Sequence, residues 1–108
     1  MRLSLEQMEE LRNKVVEVIR DIYDPEIPVN IYDLGLIYNI DLHESGEVEV
    51  KMTLTSPSCP AAESLPPEVE QKIAALDSIT KATIHVVWEP AWTPEMMSED
   101  ARLELNMF

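Results

Sequence analysis

The sequence predicts an α+β fold, a two-layer sandwich, from three observations. A stripe of apolar residues at helical spacing opens the chain. Two alternating segments joined by a glycine-containing turn follow. A second amphipathic helix then leads into a third alternating segment. The order is α-β-β-α-β: a small mixed three-stranded sheet, two helices on one of its faces, and a short helical C-terminal tail. At 108 residues the chain suits one domain, 1–108, with residues 89–108 packing on it as a tail.

The first helix has its start written out. Ser4 is a natural N-cap and Gln7 stands at the third helical position, which makes a capping box, with Leu3 and Met8 as a hydrophobic staple. Leu5, Met8, Leu11, Val15, Val18, Ile19 and Ile22 recur at helical spacing, and the acids lie away from that stripe. The helix is expected to stop before Asp24-Pro25, because a residue before proline is pushed out of the α region.

The segment Asp24-Pro25-Glu26-Ile27-Pro28-Val29-Asn30 is too rich in proline for regular structure. Asn30 can cap one turn, Ile31 to Leu34, that Gly35 ends. In the first strand Leu36, Tyr38, Ile40 and Leu42 alternate with Ile37, Asn39, Asp41 and His43. Glu44-Ser45-Gly46 is the turn, and the second strand runs from Glu47 to Leu54. A helix starts at Pro60, a residue favoured at the first helical position. Pro66-Pro67 is expected to break or kink it, with Val69, Ile73 and Leu76 carrying its second half. Lys81 to Trp88 is the third strand, with Ala82, Ile84, Val86 and Trp88 on its apolar face. The β-α-β connection is expected to be right-handed.

In the tail, Thr93-Pro94-Glu95 and Ser98-Glu99-Asp100 are helix starts. Its Trp and Met residues suit either a segment folded back over the sheet's edge or open face, or a surface for protein contacts.

Composition excludes several functions. The formal net charge is −13, from 8 basic and 21 acidic residues, which argues against nucleic acid, since phosphate contacts need clustered Lys and Arg. The acids read as a solvated surface, or as an attraction for basic protein partners. With only Gly35 and Gly46 there is no glycine-rich phosphate loop. No window is apolar enough for a membrane span. The N-terminal residues lack a signal-peptide core and the lone cysteine gives no internal disulfide, so a cytoplasmic location is expected.

That cysteine, Cys59, sits in Thr55-Ser56-Pro57-Ser58-Cys59-Pro60. It reads as a buried small residue, a nucleophile, or one ligand of a metal site. Its place at the mouth of a helix favours thiolate over thiol, an expectation that alkylation across pH tests. A cysteine hydrolase needs a histidine base. His43 abuts the hairpin turn and His85 lies mid-strand on the more polar face, so both read as surface histidines. Closed zinc and iron–sulfur sites take four ligands. One thiolate is therefore a partial ligand, shared with a partner, a second protomer or a carboxylate. Asp24 and Glu26 read as caps or solvated loop acids, unless the fold brings their loop beside Cys59. There a carboxylate would raise the thiol's pKa and suit a metal.

Three stretches carry a resemblance. Asp24 to Tyr38, Met52 to Pro60, and Val87 to Ser98 are similar to the signature, the cysteine motif and the C-terminal motif of the SufT-like and PaaD-like (MIP18-type) iron–sulfur cluster assembly proteins. Ser56 stands where threonine is common, and Glu89 and Ala91 depart from a frequent Trp-Asp-Pro-Pro-Trp. The resemblance implies a non-enzymatic accessory factor in cluster assembly or transfer, partnered by iron–sulfur assembly proteins and client apoproteins. It places a role on Cys59, and with it Asp24, Glu26, Thr55 and Ser56. It implies no stably bound cofactor, only transient iron or cluster at Cys59, and a homodimer pooling thiols is the simplest way to more sulfur ligands. The PaaD-like branch, which serves a multicomponent oxygenase, usually carries further cysteines. Their absence leans the chain toward SufT-like proteins.

Overall fold

A computed structural model describes residues 2–24, 27–55 and 61–105. Helix α1 (Leu5–Arg20) leads into strand β1 (Ile37–Leu42), strand β2 (Glu47–Met52), helix α2 (Ala61–Ala74), strand β3 (Lys81–Val86), a single 3-10 turn (Pro94–Met96) and helix α3 (Glu99–Glu104). The sheet order is β1-β2-β3, β1 antiparallel and β3 parallel to β2. α1 packs on α2 and β1, and α2 packs on β3. The expected mixed α+β sandwich is the observed one. No described helix is long and apolar enough to cross a membrane.

Between helices and sheet lies one apolar layer. Val15, Ile19, Val50, Met52, Val69 and Ile73 have no exposed surface, and burying each such side chain is worth about 1.5–3 kcal/mol. The alternation of β2 sets which face is wet: Val48, Val50 and Met52 are buried, whereas Glu47, Glu49 and Lys51 face away from the core.

α1 begins as its sequence dictates. The Ser4 hydroxyl accepts from the Gln7 amide at 3.2 Å, and the Ser4 amide donates to the Gln7 side chain at 2.9 Å. Its far end comes earlier than expected, at Arg20, because the next residues find a different partner. The Ile31 amide donates to the Ile22 carbonyl and the Asp24 amide to that of Val29, an extended pairing incompatible with another helical turn. Leu5, expected in the buried stripe, is 83% exposed, whereas Leu3 and Met8 pack against the core.

Three further expectations are corrected. α2 runs unbroken through Pro66 and Pro67. Each proline lacks the amide that would donate one turn back, yet Leu65, Val69 and Ile73 stay buried at four-residue spacing, so packing outweighs propensity. In β1 the register slips between Ile37 and Asn39: Tyr38 is the extra residue of a bulge, and the alternation is not continuous through it. β3 ends at Val86, so Trp88 lies beyond it and is 43% exposed rather than on the core face.

Within the described residues, the tail docks on β1 and on the loop that precedes it. The Tyr38 hydroxyl donates to the Pro90 carbonyl at 2.7 Å, Trp92 Nε1 to the Leu34 carbonyl at 2.7 Å, and the Ser98 amide to the Asp33 carbonyl at 2.8 Å. Gly35 makes this docking sterically feasible. Its φ is +85°, and a Cβ there would lie 2.4 Å from the Met96 carbonyl oxygen.

Candidate functional site

The loop after α1 is built around Asp24. Its backbone is paired across to Val29, and its carboxylate Oδ1 accepts from the Ile27 amide at 3.2 Å. The residue is only 4% exposed. A carboxylate in an Asp-Pro turn is ordinarily solvated, so its burial here is a specific structural commitment.

A series of backbone hydrogen bonds ties this loop to the end of β2. Ile31 donates to Ile22, Leu36 donates to Ile31, Thr53 donates to Leu36, and Val87 donates to Met52. The loop of Asp24 and the exit of β2 therefore belong to one end of the molecule, the juxtaposition that spacing alone left open. Thr53 is fully buried there, and its hydroxyl has no hydrogen-bond partner among the described residues. An orphaned buried hydroxyl costs about 1–3 kcal/mol. Thr55, two residues on, is half-buried. Of the residues predicted for the site, Asp24 and Thr55 are among the described residues. Glu26, Ser56 and Cys59 lie outside the described residues.

A second constellation was not anticipated. Asp41 and His43 are two apart on β1 and its turn, and Glu49 on β2 pairs directly with Asp41. His43 Nε2 lies 3.1 Å from Glu49 Oε2 and 3.7 Å from Asp41 Oδ2, while His85 Nε2 lies 3.1 Å from Glu49 Oε1. Both histidines are exposed, as expected of surface residues, but one carboxylate joins them across three strands. The hydrogen bond that His43 donates to Glu49 raises the His43 pKa, opposed by loss of hydration and helped by the negative charges of Asp41, Glu49 and Glu47. The same bond, and that from His85, lower the Glu49 pKa. The signal was present in the sequence as period-two spacing within each strand. What it lacked was the parallel register that brings His85 beside Lys51, diagonal to Glu49.

Neither histidine is arranged as a base for the β2 exit, since both rings are engaged with Glu49 on the open face.

A small two-layer α+β domain that buries a loop carboxylate beside the exit of its central strand is the class this geometry defines. Residues 12–86 match the model of the iron-sulfur cluster assembly protein family, and the chain belongs to that family. It is 50% identical over 92 residues to an Fe-S protein maturation auxiliary factor of Porphyromonas gingivalis, covering 85% of this chain and 88% of that protein. It is 35% identical to the maturation auxiliary factor SufT of Staphylococcus aureus, covering 80% of this chain and 98% of that one. The crystal structure of a domain of unknown function from Bacillus anthracis superimposes with a TM-score of 0.88 at 29% identity, covering 97% of this chain and all of that one. Likeness over most of the length of two proteins named as maturation factors favours that branch over the oxygenase-accessory one.

Proposed function

We propose that the protein is an accessory factor that helps iron–sulfur clusters reach client apoproteins, working at the β2-exit end through Cys59. The observation that carries this reading is the buried Asp24 loop, hydrogen-bonded through Leu36 and Thr53 to the strand that leads into the cysteine motif. In this account the Cys59 thiolate offers one ligand to iron or cluster as cargo, and Asp24, Glu26, Thr55 and Ser56 shape the rim around it. One sulfur cannot complete a four-ligand site. The cargo is therefore held jointly with an assembly protein, a client or a second copy of the chain, and is released when that partner supplies the missing ligands. Incomplete coordination suits transfer, because a closed site would retain what it should pass on. No turnover is assigned to the isolated protein, in keeping with relatives named as auxiliary factors.

The test is a Cys59→Ser variant as the sole copy in cells. It is expected to keep its fold and to lose support for an aconitase-type cluster enzyme. Unchanged enzyme activity with equal protein abundance would overturn the reading.

A further inference from the structure

The open face of the sheet carries a concavity of about 440 Å³ lined by Asn39, Asp41, Glu49, Lys51, His85 and Val87. At its hairpin end, one ligand atom from each of Asp41, His43 and Glu49 lies within 4.8 Å of the others. We propose that these three side chains bind a divalent transition-metal cation.

Metal–ligand bonds of about 2.0–2.2 Å to nitrogen and oxygen place neighbouring ligand atoms roughly 3.0–3.5 Å apart. His43 Nε2 is already 3.1 Å from Glu49 Oε2 and 3.7 Å from Asp41 Oδ2. The remaining separation, between the Asp41 and Glu49 oxygens, is within 4.8 Å.

Charge supports the same occupant. Asp41 and Glu49 stand directly opposite each other on paired strands, where like charges repel. Two carboxylates neutralise a divalent ion, and the chain's net charge of −13 raises cation concentration at its surface. Two lysines on that face oppose entry: Lys51, which lines the concavity farther along β2, and Lys81, which pairs with Glu47 at the start of β3. Imidazole beside two carboxylates suits zinc or ferrous iron, whereas magnesium prefers oxygen and water. His85 occupies the other oxygen of Glu49, Oε1, and leaves Oε2 directed at His43. Three protein ligands at an exposed position leave room for water or for a ligand from a partner. Glu49 is four residues before Thr53, about 13 Å along β2, so this site is separate from the one assigned to Cys59 and does not rest on that assignment.

The experiment follows the imidazole signals of the whole protein by NMR during titration with Zn²⁺, with Mg²⁺ as the second arm. The His43 resonances are expected to move or broaden saturably with Zn²⁺ and to stay unmoved by equal Mg²⁺. Glu49→Gln and Asp41→Asn, each checked for an unchanged amide spectrum, are each expected to weaken half-saturation roughly tenfold or more. His43 signals indifferent to Zn²⁺, an equal response to Mg²⁺, or unchanged half-saturation in both variants would overturn the proposal.

Discussion

Toward one end of β2, Asp24 is 4% exposed and takes a hydrogen bond from a backbone amide. Toward the other, Glu49 is held between two exposed imidazoles. Both are carboxylates with partners, yet they carry different weight in the fold. A buried carboxylate that loses its contacts leaves unpaired backbone in the interior. An exposed one that loses its imidazoles is rehydrated, and screening makes the loss small. The β2-exit end is therefore structurally committed, whereas the hairpin end can change protonation or accept an ion with only a small effect on folding.

Four substitutions or measurements sharpen that contrast. The largest effect belongs to Gly35→Ala, which puts a side chain at φ +85° and 2.4 Å from the Met96 carbonyl. Strain and overpacking together should cost about 3 kcal/mol, seen as a lower melting temperature and as a changed fluorescence of Trp92, which docks on Leu34. Asp24→Ala comes next. It orphans the Ile27 amide and empties a buried site, for a loss of about 2 kcal/mol in denaturant titration. A loss no larger than that of Glu49→Gln would erase the difference between the two ends.

Thr53→Val acts in the opposite direction. It removes a fully buried hydroxyl that has no partner among the described residues, so chemical denaturation should show a gain of about 1 kcal/mol. The smallest effect is at His43. Because its folded pKa is raised, its contribution to stability is complete below about pH 6.5 and is lost as pH climbs through the higher folded value. Because that of Glu49 is lowered, its contribution is present above about pH 4.5 and is lost as pH falls through the folded value. The pair is thus strongest between those limits. NMR titration should find His43 above its ordinary value in the native protein and closer to it in Glu49→Gln.

What could be read in advance follows the range of the interactions. The Ser4–Gln7 capping box and the Asn30 cap on Asp33 close within three residues, so residue type alone declares them. The alternation in β2 announced its buried face because one sheet face is wet. The end of α1 was misplaced because Ile22 and Asp24 pair with Ile31 and Val29, a competition no helical pattern contains. Pro66 and Pro67 were over-weighted because propensity is local while the burial of Leu65, Val69 and Ile73 is tertiary. The docking of the tail rests on hydrogen bonds that span 52 and 58 residues. The Glu49–His85 contact spans 36, and strand register, not composition, creates it. At the candidate site, Asp24 was singled out by its proline-rich setting, but its burial was not, since a turn acid is ordinarily solvated.

The most direct test of the working end compares variants from both regions in one assay. An assembly scaffold loaded with cluster reactivates an apo-aconitase-type client in the presence of stoichiometric protein, and the initial rate is read. Native protein should accelerate reactivation, Cys59→Ser should abolish the acceleration, and His43→Asn should retain it. Equal acceleration by Cys59→Ser, or loss confined to His43→Asn, would contradict the account.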